Sequence, residues 1–186
     1  MKFLVLVALI QGSHAAYYSF SSIYWKEAGY SEDIIGYLWS LGVVAEVAVF
    51  AFSKRLFSGW TLRTLFVVAS LGVVARWGLT ASTTALVALV MIQLLHGVTF
   101  AMAHIAAIQY IQNSEQRKMV ALQALYNAIP LGAFIALMTA LSGWGYENWG
   151  ANVFWAMAAM GVLALFVRVE PKRQSKEQVM KAEPQN

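Results

Sequence analysis

Apolar residues run along this chain in six long stretches, from Phe3 to Tyr24, Ile34 to Phe52, Leu62 to Leu79, Ala85 to Gln109, Met119 to Leu141 and Ala151 to Val169. A helix needs about 20 such residues to cross a hydrocarbon core about 30 Å thick, and each stretch is close to that length. The pattern predicts an all-α, polytopic membrane protein built as a six-transmembrane-helix bundle. The breaks at Lys26 to Asp33, Ser53 to Gly59, Ala81 to Thr84, Asn113 to Lys118 and Gly143 to Gly150 collect most of the charges and turn formers. All five are short, so helices adjacent in sequence are expected to be neighbours in space. The bundle is expected over residues 1–169. Residues 170–186 are charged, Gln-rich and punctuated by proline, and they read as a disordered cytoplasmic tail.

Composition agrees with lipid as the solvent. Of 186 residues 60% are hydrophobic and 12% charged, where a soluble domain is nearer half apolar and a quarter charged. Cysteine is absent, which excludes disulfides and thiolate metal sites. The net charge of +4 lies in loops and the tail rather than on one folded face, so it reads as membrane topology and not as a nucleic-acid surface. With an even number of spans both termini share a side. Lys2, Lys54, Arg55, Arg63, Arg117, Lys118, Arg168, Lys172, Arg173, Lys176 and Lys181 all fall on it, eleven of the 13 basic residues. The positive-inside rule therefore places both termini in the cytoplasm, with the inner membrane as the expected location. Trp25, Trp60, Trp144 and Trp149 fall near span ends, where amphipathic rings favour the headgroup zone. A second reading of the N-terminus stays open. Lys2, the apolar run Phe3 to Ile10 and the small residues Ser13 and Ala15 also fit a cleaved secretory leader, and cleavage would remove His14.

Ionisable groups at membrane depth are costly and mark functional sites. At a rise of about 1.5 Å per residue, His14, Glu46, Arg76 and His96 each lie about 17–18 Å into their helices. Four consecutive spans thus place one ionisable group apiece near the midplane, which predicts a shared polar cavity where Glu46 and Arg76 face one another and offset part of their desolvation. Polar residues recur at helical spacing around them: Gln11, His14 and Tyr18 in the first span, and Gln93, His96, Phe100 and His104 in the fourth. Gln123, Tyr126, Asn127 and Pro130 share a stripe in the fifth. Pro130 lacks an N–H, so that helix should kink near Tyr126, either statically or as a gating bend. Gly132, Ala133, Ala136 and Ala140 read as a close-packing face.

These residues also carry a resemblance. The runs Gln11 to Trp25 (QGSHAAYYSFSSIYW), Ala28 to Ser31 (AGYS) and Gly36 to Glu46 (GYLWSLGVVAE) resemble the start of the C-terminal half of transporters in the lactose-permease-like branch of the major facilitator superfamily. The resemblance implies half of a twelve-helix fold. It also implies that Glu46 corresponds to that branch's substrate-binding glutamate, Arg76 to its ninth-helix arginine and His96 to its tenth-helix histidine. Two positions depart from the branch: Thr99 stands where it carries a proton-bearing glutamate, and Gln93 where it carries a lysine.

The expectation that follows is secondary active transport, in which a small organic anion such as a phenylpropanoate crosses together with a proton. His14, Tyr18, Glu46, Arg76 and Asn127 are the expected substrate-binding residues, and His96, Glu46 and His104 the expected proton-coupling residues. A neutral sugar is the alternative substrate, since Glu46, Gln11, Gln93 and Asn127 suit hydroxyls. No G-x-S-x-G elbow surrounds a serine near the midplane, which argues against an intramembrane serine protease and for a non-enzyme. No cofactor or metal is expected. The partners are the substrate, the proton, the bilayer, and an N-terminal six-helix half or a second copy of the chain. A half-chain that is inactive alone is the remaining alternative, because rocking needs two bundles.

Overall fold

The computed structural model describes residues 1–169; the expected tail over 170–186 lies outside the described residues. Among the described residues the backbone is helical with no strand. The first pass is α1 (Lys2–Gly12) and α2 (Ala15–Glu27), the second α3 (Glu32–Leu56) and the third α4 (Leu62–Ser82). The fourth is α5 (Leu86–His96), a π-helical turn at Gly97–Ala101 and α6 (Met102–Gln112). The fifth is α7 (Gln116–Ala128), a second π turn at Ile129–Phe134 and α8 (Ile135–Trp149). A 3₁₀ turn at Gly150–Asn152 leads into α9 (Val153–Phe166).

Five continuous helical stretches are long and apolar enough to cross a membrane, the last being the 51 residues Gln116–Phe166. That stretch is two helical segments joined at a reversal. Gly150 adopts φ +55° and ψ −137°, a backbone that a side chain resists, and beyond it Val153 turns back onto Gly145. α8 packs against α2, whereas α9 packs against α4 and α1. The expected loop at Gly143 to Gly150 is therefore helical up to Trp149. Gly143 and Gly145 are tolerated inside α8, and Gly145 supplies the gap that Val153 fills.

Local chemistry fixes the other ends. The Ser31 hydroxyl accepts from the Ile34 amide at 3.5 Å, and Glu32 and Asp33 complement the dipole of α3. Thr61 caps α4 in the same way, accepting from the Thr64 amide at 3.1 Å. Between α6 and α7, Lys118 and Arg117 sit 2.8 and 3.4 Å from Glu115 and hold its carboxyl below the usual range, the Lys118 hydrogen bond most.

Three passes are interrupted: the first at Ser13 and His14, the fourth at Gly97–Ala101 and the fifth at Ile129–Phe134. The Pro130 break is thus a π turn rather than a simple bend, a common way to absorb a missing amide donor. It packs on the first pass, where a Cβ on Gly12 would lie 2.5 Å from the Phe134 ring. Gly132, Ala133, Ala136 and Ala140 lie exposed, with no described helix packed on them. Trp60, Trp144 and Trp149 are exposed at helix ends, but Trp25 is buried in an aromatic cluster with Tyr17 and Trp39. The first pass, which reads from sequence as span or leader, is the most enclosed of the five stretches.

Candidate functional site

The break in the first pass sets His14. Its amide donates to the Gln11 carbonyl at 3.1 Å, one residue short of the α-helical register. The Ile10 carbonyl then accepts from the Ser13 hydroxyl at 2.6 Å and from His14 Nδ1 at 3.1 Å. A carbonyl only accepts, so Nδ1 carries a proton, and Nε2 lies 3.1 Å from the Thr99 hydroxyl. Trp77 Nε1 donates to Ser13 Oγ at 3.0 Å and pins the break to α4.

The second and fourth passes approach closely at glycines. A Cβ on Gly97 would lie 2.8 Å from the Ala45 carbonyl oxygen and 2.7 Å from Val49 Cγ2. A Cβ on Gly42 would lie 3.3 Å from Gln93 Oε1 and 3.9 Å from His96 Cβ. Glu46 lies one turn beyond Gly42, so this contact delivers its carboxylate to His96, with Oε2 3.2 Å from Nε2.

Arg76 is fully buried on α4 at the centre of the cluster. Its guanidinium lies 4.5 Å from the Tyr17 ring centre and 4.4 Å from that of Trp77, cation–π contacts that offset part of its desolvation. Nη1 donates to His96 Nδ1 at 2.7 Å and to Thr99 Oγ1 at 3.2 Å. Nη2 donates to Gln93 Oε1 at 3.4 Å, which also accepts from the Tyr17 hydroxyl at 2.9 Å. The directions around Arg76 follow, because arginine can only donate. His96 accepts at Nδ1, which leaves the proton on Nε2, 3.2 Å from the Glu46 carboxylate. Thr99 accepts from Arg76, and its own hydroxyl has the His96 carbonyl at 3.4 Å and His14 Nε2 at 3.1 Å within reach.

His14, Glu46, Arg76 and His96 are thus brought together as the sequence implies, with one difference. Arg76 and Glu46 do not face one another: the His96 ring stands between them and carries the contact. Tyr18 belongs to the rim, its ring 5.9 Å from His14 and 40% exposed. His104 forms a second centre, its Nδ1 2.6 Å from the Tyr126 hydroxyl. It is joined to His96 only through the Phe100 ring, which stacks on both at 5.3 and 6.4 Å. Asn127 lies on an exposed face, where its Oδ1 accepts from Gln123 Nε2 at 3.4 Å; no described contact joins it to Arg76. Four residues outside the expected anion site complete it. Thr99 reads only as a departure and Gln93 as a departure and a hydroxyl-binding candidate, although both share the His96 face. Tyr17 and Trp77, which enclose the guanidinium, read as ordinary apolar positions.

Polar capacity is left over. Arg76 Nε, Gln93 Nε2 and both amide atoms of Gln11 are buried without a described partner. Buried polar groups are usually satisfied, so such a concentration marks a site that can take further hydrogen bonds. Among the described residues no three His, Asp or Glu side chains converge as metal ligands.

The cluster combines one buried cation, one half-exposed carboxylate (24% for the Glu46 side chain) and an imidazole bridging them, inside an apolar bundle. The comparisons with known proteins point the same way. A probable 3-phenylpropionic acid transporter of Escherichia coli (strain K12) is 47% identical over 167 residues, which cover 90% of this chain and 44% of the relative. The chain therefore spans less than half the length of that relative. No solved structure matches. The family model described as the MFS_1 like family matches residues 1–166, and the chain accordingly belongs to this family of major facilitator transporters, as a multi-pass membrane protein and not an enzyme.

Proposed function

We propose that this chain supplies the half of a secondary transporter that binds a small aryl carboxylate at Arg76 and takes up a proton with it at His96 and Glu46. The observation that carries the reading is the 2.7 Å contact between Arg76 Nη1 and His96 Nδ1, with Glu46 on the other ring nitrogen. A substrate carboxylate binding Nη1 displaces His96 Nδ1 and Thr99 Oγ1 from it. The displaced Nδ1 regains a free lone pair while Nε2 still faces Glu46. The site holds one positive and one negative charge at rest, so a bound monoanion leaves it one charge negative in a low-dielectric interior. One proton on the His96–Glu46 pair restores neutrality, which couples one proton to one anion. Tyr18, with Trp39 stacked beside it at 6.4 Å, offers an aromatic rim for the aryl group.

The E. coli relative's name supports 3-phenylpropionate as the probe. The sugar reading loses support because Asn127 lies away from the cluster and Gln93 gives its Oε1 to Arg76 and Tyr17, which leaves only its Nε2. A second six-helix half completes the transporter, and the basic end of the bundle faces the cytoplasm of an inner membrane. The test joins this chain to the remaining portion of the E. coli relative and measures 3-phenylpropionate uptake in proteoliposomes with an internal pH probe. Uptake that acidifies the lumen supports symport. Uptake without acidification removes the proton, and uptake of a sugar in place of the acid removes the carboxylate.

A further inference from the structure

We propose that the basic end of the bundle carries a binding site for the phosphate of an anionic phospholipid, formed by Arg63 and Arg168 over an apolar floor between α1, α4 and α9. A cavity of about 200 Å³ opens there, lined by both arginines and by Leu6, Phe66 and Leu165. Packing places them together. A Cβ on Gly161 would lie 3.0 Å from the Ser70 carbonyl oxygen and 2.7 Å from Val73 Cγ1, so α9 runs tight against α4. The start of α4 and the end of α9 therefore share one level, and Arg63 and Arg168 with them.

Among the described residues the charge is one-sided. The described ion pairs are Lys26 with Glu32 and Glu115 with Arg117 and Lys118, and none involves Arg63 or Arg168. Lys2 lines an adjoining hollow with Arg168 and adds a third cation. Two guanidinium forks suit the paired oxygens of a phosphate, and basic pockets between helices near the bilayer surface are sites for acidic headgroups. The surroundings favour a lipid over a free anion. Val5, Val67 and Phe166 stand beside the cavity at 49%, 37% and 80% exposure, an apolar track that gains nothing from inorganic phosphate but lies along acyl chains. The site is separate from Arg76 and does not rest on the transport reading.

The test is native mass spectrometry of the full chain in mild detergent, titrated with phosphatidylglycerol or phosphatidylcholine. One retained phosphatidylglycerol is expected, with no comparable phosphatidylcholine. Arg63→Gln and Arg168→Gln should each weaken it about fivefold, as expected for one basic residue at an acidic surface. Lys54→Gln with Arg55→Gln, basic at the same end but off the cavity, should leave it unchanged. An equal loss in that control pair would mean diffuse surface charge and overturn the site, as would unchanged binding in the Arg63 and Arg168 variants. Displacement of the lipid by millimolar inorganic phosphate would overturn the lipid as its source. Both arginines are exposed, and the charge-keeping Arg63→Lys and Arg168→Lys supply a second set: full retention there overturns the fork geometry.

Discussion

The Arg76 guanidinium meets the His96 imidazole at 2.7 Å, and the same ring holds the Glu46 carboxylate at 3.2 Å from its other nitrogen. The buried cation and the half-exposed carboxylate are thus connected through one imidazole ring, which accepts from the first and faces the second. In the proposed function, anion binding and protonation lie on opposite edges of that ring, so that moving the first disturbs the second.

Arg76 is expected to be irreplaceable by lysine. An ammonium keeps the charge but loses the plane held between Tyr17 and Trp77 and the second nitrogen that reaches Gln93. Losing one charge-assisted hydrogen bond at about 1.5–3 kcal/mol predicts roughly 10- to 100-fold weaker carboxylate uptake for Arg76→Lys, and none for Arg76→Leu. Uptake at constant surface abundance is the measurement, and wild-type uptake by Arg76→Leu would remove the anion site.

Gly97 is expected to be a stability position. Gly97→Val would drive side-chain atoms into the Ala45 carbonyl and Val49, and overpacking of this kind costs about 1–3 kcal/mol. Gly36→Ala has nothing within 4 Å and serves as the control. In detergent, thermal unfolding should fall several degrees for the first and hold for the second; an unchanged Gly97→Val would deny the close approach that sets Glu46 against His96.

Much of this was legible in the sequence, for reasons that differ by residue. Spans are visible because lipid demands long apolar runs, and His14, Glu46, Arg76 and His96 stand out because charge at depth is rare. The helix through Gly143 and Gly145 was not, since a glycine pair near a span end looks like a loop until Val153 is seen filling the gap at Gly145. Tyr17 and Trp77 are invisible as guanidinium partners, because aromatic residues are ordinary in a membrane helix. The Ser13–His14 break carries no proline or glycine within it to announce it, although it is the feature that fixes the His14 tautomer. Asn127 shares its stripe with Tyr126, yet its side chain lies exposed beside Gln123.

The reversal at Gly150 predicts six passes where the helix looks continuous. The chain has no cysteine, so single substitutions report cleanly. Asn113→Cys and Ala151→Cys are expected to react with a membrane-impermeant maleimide from opposite sides, and Ala28→Cys from the same side as Ala151→Cys. Labelling of Asn113→Cys and Ala151→Cys from one side would mean that α7–α8 does not cross.

Thr99 separates structure from protonation within the same network. Its hydroxyl accepts from Arg76 at 3.2 Å and lies 3.1 Å from His14 Nε2, but it cannot change charge near neutral pH. Thr99→Val should therefore loosen Arg76 and His14 and weaken substrate affinity, by about 0.5–1.5 kcal/mol or roughly 2- to 10-fold for one neutral hydrogen bond, more if a buried partner is left unsatisfied. Thr99→Ser should restore it. Proton movement per substrate should survive in both. His96→Gln and Glu46→Gln remove the only two groups of the bridge that can take up a proton beside Arg76. In them, substrate exchange should continue without a gradient, but substrate-driven acidification of the vesicle lumen should disappear. The measurement is the ratio of protons to substrate in proteoliposomes holding the completed transporter. If Thr99→Val abolishes proton movement while Glu46→Gln and His96→Gln keep the ratio of the parent, the proton travels elsewhere, and the next residue to test is His104, whose ring lies beyond Phe100 and against the Tyr126 hydroxyl.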